Sequence, residues 1–278
     1  MKLGFFGINI GPCAMPDTLS AVARSAEDAG FDSLWTGEHV VLPDPQAPPS
    51  PVPPETPFLD PAVALTWAAA ATKTIKLATG IVILPQRNPL VLAKEFASLD
   101  VLSGGRMILG VASGYLTKEF EALGIPFADR GPRTDEYIDA IRQIWGARTP
   151  KFEGQFVSFS GIDAQPRPAQ TPLPPIVIGG QSPPAYRRSV SRGNGWYGFG
   201  LDLEGTKTCL DGLAEARKNV ERPADLGELE ITITPPPGMS SDDLRRYEEL
   251  GVDRLVPIGF LGGLDDMKRL IEDTASIF

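Results

Sequence analysis

One histidine, His39, occurs in 278 residues, and it follows a glutamate in the run Trp35-Thr36-Gly37-Glu38-His39. Imidazole titrates nearer neutrality than any other unperturbed side chain, so it takes up or releases a proton at low cost. At the carboxyl end of a strand, beside a carboxylate, it holds the position of a general acid or base in an α/β enzyme. The competing reading is a rim histidine that only caps or packs. A lone histidine excludes a multi-histidine metal centre, and the sequence contains no zinc spacing, Gly-x-Ser-x-Gly elbow or P-loop.

Three further segments carry residue types suited to holding a ligand. Ile176-Val177-Ile178-Gly179-Gly180-Gln181 ends a strand in two residues without Cβ, and Ser182 with Pro183 and Pro184 then opens a helix. Free N–H groups at such a start bind phosphate, and Arg187 and Arg188 nearby point to an anion that offsets them. A plain tight turn with solvated arginines is the alternative. In Thr79-Gly80-Ile81-Val82-Ile83-Leu84-Pro85 a glycine interrupts an apolar run, as at a bulge or where a ligand approaches the backbone; ordinary barrel core is the alternative. Ser113-Gly114-Tyr115 follows the next strand and falls on the same rim.

The elements that position these residues alternate from end to end. Strands are predicted at 3–8, 33–36, 76–84, 107–111, 175–178, 195–199, 228–234 and 254–258. Helices are predicted after Asp17 as cap and at 60–72, 89–102 and 132–145, then after Ser182 and at 204–220, 242–250 and 265–276. Leu19, Val22, Ala23 and Ala26 give the first helix its apolar stripe. Eight strands and eight helices in alternation predict a (β/α)8 TIM barrel, one domain over 1–278, with a small hairpin insertion at about 151–174. Ala29-Gly30-Phe31-Asp32-Ser33-Leu34 is echoed by Leu250-Gly251-Val252-Asp253-Arg254-Leu255, both reading helix, glycine stop, strand. The rival doubly wound sheet lacks a Gly-x-Gly-x-x-Gly turn at its first strand–helix junction. Prolines crowd 43–57, forbidding helix or ladder and predicting an extended loop at the site.

Composition narrows the function classes. A formal charge of −9 gives no basic field for nucleic acid, and no apolar run is long enough to span a bilayer. The first residues enter a strand at once, which predicts no signal peptide. Cys13 and Cys209 read as free thiols of a cytoplasmic protein, with a disulfide left open.

As an ordered set these segments resemble the luciferase-like monooxygenase superfamily, and within it the oxidoreductases that use the deazaflavin coenzyme F420. The resemblance is carried by Ala29 to Trp35 with Glu38-His39, Thr79 to Pro85 with Arg87-Asn88-Pro89, and Ala93 to Asp100 with Ser103 to Arg106. Gly110 to Gly114, Glu119 to Gly124, Arg130 to Trp145, Pro174 to Gly180 and Gly195-Trp196 complete it, over residues 1 to about 200. It implies a bacterial-luciferase-like barrel, usually a homodimer, binding a flavin or deazaflavin at its carboxyl face beside a small-molecule substrate. His39 then matches the active-site histidine that moves a proton during hydride transfer, and Glu38 the acid that holds its imidazole. Ile81, Val82 and Ile83 match the bulged strand behind the ring, which often carries a cis non-proline bond. Gly179 and Gly180 match the contacts near the phosphate. Ser113, Gly114, Tyr115, Gln181 and Arg188 complete the expected cofactor set. Tyr115 departs from the glutamate of the family's sugar-phosphate and alcohol dehydrogenases, and Asn194 from a common aspartate. An FMN-dependent monooxygenase and a non-catalytic flavin binder on the same scaffold are the alternatives.

Overall fold

In the computed structural model, which describes residues 1–260 and 262–277, eight parallel strands close into a barrel. Leu261 and Phe278, both inside the expected 1–278 domain, lie outside the described residues. The chain runs β1 (Lys2–Phe6), α1 (Pro16–Asp28), β2 (Ser33–Thr36), α2 (Pro61–Ala71), β3 (Lys76–Thr79), β4 (Val82–Ile83), α3 (Pro89–Ser103) and β5 (Met107–Ala112). It continues through α4 (Thr117–Ala122), α5 (Arg130–Gly146), β6 (Phe152–Glu153), β7 (Ser158–Phe159), β8 (Ile176–Gly179) and α6 (Pro183–Arg192). β9 (Gly195–Phe199), α7 (Leu203–Asn219), β10 (Glu230–Thr234), α8 (Ser241–Glu249), β11 (Arg254–Leu255) and α9 (Leu264–Ser276) follow. Neighbouring strands run β3, β2, β1, β11, β10, β9, β8, β5, and a β3–β5 pairing shuts the cylinder. The antiparallel pair β6–β7 is the expected hairpin insertion.

Barrel strands are apolar on both faces because each is covered twice. One buried cluster, with Phe6, Trp35, Ala78, Ile108, Val177, Tyr197 and Val256, fills the cylinder; a larger one lies between strands and helices. The echo seen in the sequence is geometric as well. Gly30 and Gly251 both take φ +84°, a conformation open to glycine, and each sends the chain straight into a strand. Asp32 and Arg254, which follow them, meet beneath the barrel. Arg254, 1% exposed, donates to Asp32 at 2.8 Å and to Glu230, and its guanidinium lies 5.6 Å from the Trp35 ring. Among the described residues no helix is long and apolar enough to cross a membrane, and Cys13 and Cys209 are free and buried.

Two expectations are corrected. Asp17 does not cap the first helix: Met15 is the cap residue, Pro16 takes the first helical position, and Asp17 sits in the first turn. The apolar run 76–84 is not one strand. Register passes from Ala78↔Ile108 to Val82↔Val111, so one side advances four residues while the other advances three. The extra residue is the bulge expected at Gly80, and the Gly80-Ile81 peptide bond is cis, as the resemblance implied. Side-chain bonding enforces the break: the Thr79 hydroxyl donates to the Gly110 carbonyl at 2.7 Å and accepts the Gly110 N–H at 2.8 Å. A Cβ on Gly110 would lie 1.8 Å from the Thr79 carbonyl oxygen, so only glycine fits opposite the bulge.

Carboxylates from helices anchor the loops that feed the barrel. Glu27 accepts N–H groups from Lys73, Thr74 and Ile75 at 2.6–3.1 Å, just before β3. Glu136 does the same for Gln155, Phe156 and Val157 at the hairpin, and Asp100 for Ala169 and Gln170 where the insertion returns. Burial pushes the Glu27 carboxyl up, but its main-chain and Thr74 hydroxyl donors outweigh this and hold it at about 2, below the usual 4.5. A lowered acid contributes stability in full above its unfolded value and loses it as pH falls toward the folded one. Glu27→Gln therefore lowers unfolding free energy at pH 7 by about 1 kcal/mol, discounted for partial exposure. The gap to wild type closes between pH 4.5 and 2. Urea titrations across that range check it; a pH-independent gap would rule out the charged acceptor.

Candidate active site

Site geometry begins at the turn after β2. Asn9, fully buried after β1, accepts the Gly37 N–H at 2.9 Å and donates to the Gly37 and Leu59 carbonyls at 2.8 and 2.7 Å. One amide thus ties the β1 and β2 exits to the end of the proline loop. His39 consequently stands at the carboxyl rim, as the sequence requires.

Glu38 and His39 diverge from there, and this corrects the role expected for Glu38. Its carboxylate does not reach the imidazole. It accepts the Ile83 N–H in the bulged segment and pairs with Arg87, whose Nε donates at 2.9 Å. Arg87 also donates to Asp60 at 2.6 Å, and Asp60 in turn caps α2 through the Ala62 and Val63 N–H groups. Burial pushes the Glu38 carboxyl up, against the pull of Arg87. Burial alone would lower the Arg87 guanidinium, but Glu38 and Asp60 override it and raise it further. Glu38 is a clamp between β2, the bulge and α2.

The imidazole is held instead by Glu119, on the six-residue helix α4. Its fully buried side chain accepts the Val40 N–H on one oxygen at 2.6 Å and meets His39 Nδ1 on the other at 3.3 Å. In the neutral ring, a carboxylate facing Nδ1 favours the tautomer with its proton there and Nε2 as the acceptor. Nε2 lies 3.5 Å from the Tyr115 hydroxyl. Phe58 and Tyr115 stand edge-on to the imidazole, with centroids 5.6 and 6.0 Å away. Burial first, then the Glu119 charge, raises the Tyr115 phenol, which therefore keeps its proton at neutral pH.

Other expected site residues occupy one arc of the rim, because β2, β3, β5 and β8 are neighbours in the barrel. Ile81 points inward: a Cβ on Gly179 would meet its Cγ2 at 2.9 Å, and one on Gly110 would meet it at 3.5 Å. Val82 and Ile83 are buried. Crowding at Gly80 and Gly179 thus comes from the chain itself, not from space left for a ligand. Ser113 accepts a hydrogen bond from Thr134 at 3.1 Å, and Gly114 takes φ +76°, where a Cβ would fall 2.5 Å from Ile83. Gly180 and Gln181 are exposed, and Gln181 donates to the Phe199 carbonyl at 2.6 Å. The Ser182 hydroxyl makes no cap bond at the start of α6, where Pro183 and Pro184 supply no N–H.

Arg188 is the second correction. It is buried beneath α6 and donates to Asp135 on α5 at 2.6 Å and to the Gly131 carbonyl at 3.1 Å. The anion that offsets it is Asp135, within the chain. Arg187 is exposed.

Beside His39 lies a cavity of about 520 Å³, walled by Glu38, His39, Phe58, Asp60, Arg87 and Glu95. A second, of about 300 Å³, opens at the opposite, amino-terminal end around Arg254, Lys76 and Glu230. Its Lys76, Arg254 and Glu230 are paired with Asp32, with Lys2 and with one another.

A sequence model of the luciferase-like monooxygenases matches residues 8–261. The chain belongs to this family. An uncharacterised protein of Mycobacterium tuberculosis H37Rv is 30% identical over 251 residues, covering 86% of each chain. The oxygenase component of a flavin-dependent trigonelline monooxygenase from Acinetobacter baylyi is 32% identical over 179 residues, 64% of this chain and 46% of that protein. Among solved structures, the coenzyme F420-dependent tetrahydromethanopterin reductase of Methanopyrus kandleri superimposes with a TM-score of 0.77 at 18% identity, covering 99% of this chain and 97% of that one.

Sequence reasoning missed two parts of the site. Glu119 stood only within the resemblance, because α4 is too short to show periodicity and has no side-chain cap. The Arg87–Asp60 link joins residues 27 apart with no motif between them. Replacing Arg87 by Met leaves Glu38 buried without its cation. Loss of one partner from a buried pair costs about 3 kcal/mol, so Arg87→Met should lower the urea midpoint strongly at pH 7. A loss under about 1 kcal/mol would disprove the clamp.

Proposed function

We propose that this luciferase-like protein is a coenzyme F420-dependent oxidoreductase acting on a small organic substrate, with His39 accepting or delivering the proton that accompanies hydride transfer. The observation that carries this reading is the orientation of one imidazole: Glu119 fixes Nδ1, and Nε2 is turned to the rim. A bound deazaflavin supplies a ring carbon that takes or gives a hydride. The main chain of Ile81 to Ile83, backed by Ser113 and Gly114, would hold the ring, over an apolar floor that includes Val177 and Tyr197. Gly179, Gly180 and Gln181 would hold the phosphate; a Cβ on exposed Gly180 meets only Ala185, which leaves its outer side open. With Arg188 committed to Asp135 and the Gly180 N–H donated to the Tyr197 carbonyl at 3.3 Å, that grip rests on the N–H groups and side chains of Gln181 and Ser182.

Glu38 contributes by position alone, since its clamp on Ile83 fixes the bulge next to the imidazole. Glu119 stabilises the charged imidazole formed when Nε2 takes a proton, in the way a buried carboxylate supports a catalytic histidine. A second reading is an FMN-dependent monooxygenase; the Acinetobacter relative, a flavin-dependent monooxygenase component, supports flavin in place of deazaflavin. The two separate by binding: F420 should quench on titration and FMN should bind weakly. Tight FMN binding without F420 binding would transfer the assignment. His39→Asn should lower turnover by at least about 100-fold while cofactor affinity stays within threefold; unchanged turnover would remove His39 from the chemistry.

The same reading takes 1–278 as one domain of a cytoplasmic homodimer with a small-molecule substrate and no nucleic-acid partner. The outer faces of α2 and α3 support the dimer, because Val63, Trp67, Val91 and Leu102 are exposed there. Light scattering should give twice the chain mass, and Trp67→Glu should shift it toward the monomer. A monomeric wild type would refute the pairing.

A further inference from the structure

We propose that Tyr115 is the group that exchanges the proton with substrate, and that Glu119, His39 and Tyr115 act as one relay in which the imidazole works through the phenol. The inference deepens the proposed function and rests on it. The chain is continuous in space: Glu119 Oε2 to Nδ1 at 3.3 Å, then Nε2 to the Tyr115 oxygen at 3.5 Å. Its two ends differ in kind. Glu119 is sealed, with no exposed side-chain surface, whereas Tyr115 is 48% exposed at the rim. The His39 side chain between them is only 8% exposed. A substrate at the carboxyl face therefore reaches the phenol before it reaches the ring nitrogen.

Hydrogen-bond directions follow from the acceptors. In the neutral ring, with Glu119 accepting from Val40 and from Nδ1, Nε2 carries no proton and accepts the Tyr115 O–H. The raised phenol, neutral at working pH, is consistent with that direction. In this state the relay is set to remove a proton. As a substrate alcohol carbon loses its hydride to the redox ring, its O–H bond breaks and the proton passes to the Tyr115 oxygen. The Tyr115 proton passes to Nε2 in the same event. Two electrons leave with the hydride, the substrate becomes a carbonyl, and the product charge is an imidazolium against the Glu119 carboxylate. Reduction of a carbonyl is the same relay run backward from the imidazolium. No other group near Nε2 among its described contacts offers an O–H: Phe58 presents only a ring edge.

With one histidine in the chain, imidazole nitrogen resonances need no assignment. In 15N-labelled protein without cofactor, neutral His39 should carry its proton on Nδ1. Tyr115→Phe should keep that tautomer but move the Nε2 resonance as its donor disappears; Glu119→Gln should shift the proton toward Nε2. A wild-type proton on Nε2, or an Nε2 resonance unmoved by Tyr115→Phe, would overturn the relay. Tyr115 is half-exposed, so Tyr115→Phe leaves folding intact even if Glu119→Gln does not. In F420-loaded protein oxidising an alcohol, Tyr115→Phe should lower kcat about 100-fold with the cofactor KM unchanged; equal kcat would also overturn it. Relay resonances without F420 or FMN binding would sink the proposed function and leave the relay standing.

Discussion

A buried carboxylate is costly unless its oxygens are satisfied, and the Glu119 oxygens are satisfied only by the stretch that carries His39. Val40 and Val41 supply N–H groups and the imidazole supplies Nδ1. This single constraint fixes the path of the chain leaving β2, the ring orientation and the proton on that ring. It also explains why a helix as short as α4 persists beside the rim: its Phe120 is buried against Phe127, and its glutamate is the acceptor for another segment. Without that acceptor, residues 39–41 would have no reason to adopt one conformation ahead of a loop whose prolines make no ladder.

The bulge is the second fixed point, and it is held from both sides. Inside the barrel, Thr79 and Gly110 interlock and Ile81 turns toward the axis. Outside, Glu38 takes the Ile83 N–H and passes the load through Arg87 to the cap of α2. Adjacent residues, Glu38 and His39, therefore serve different ends: one braces the floor of the site and the other faces it. Glu27, Asp100 and Glu136 repeat the device on a smaller scale, each binding two or three backbone N–H groups of a loop far along the chain. Side-chain carboxylates do here what strand pairing cannot, because the loops lie outside the ladder.

Local rules read most of the fold. Period-3.6 stripes and glycine stops act over a few residues, so α1 to α3 and β2 were legible almost to their ends. His39 at the rim followed from strand–glycine–His order alone. What the sequence left undecided was partnership. An adjacent acid looks like the natural companion of an imidazole, and two arginines beside a glycine turn look like an anion site. Only the closed barrel sets Glu119, eighty positions away, against His39, and Asp135 on α5 against Arg188. Gly80 signalled the bulge in 76–84, but where the strand stops and restarts was hidden for the same reason, since an apolar run records burial and not the register of the strand it will face. Composition and periodicity are local quantities and determined the elements; which charge meets which depends on distances fixed only when the cylinder closes, and that was the tertiary structure's decision.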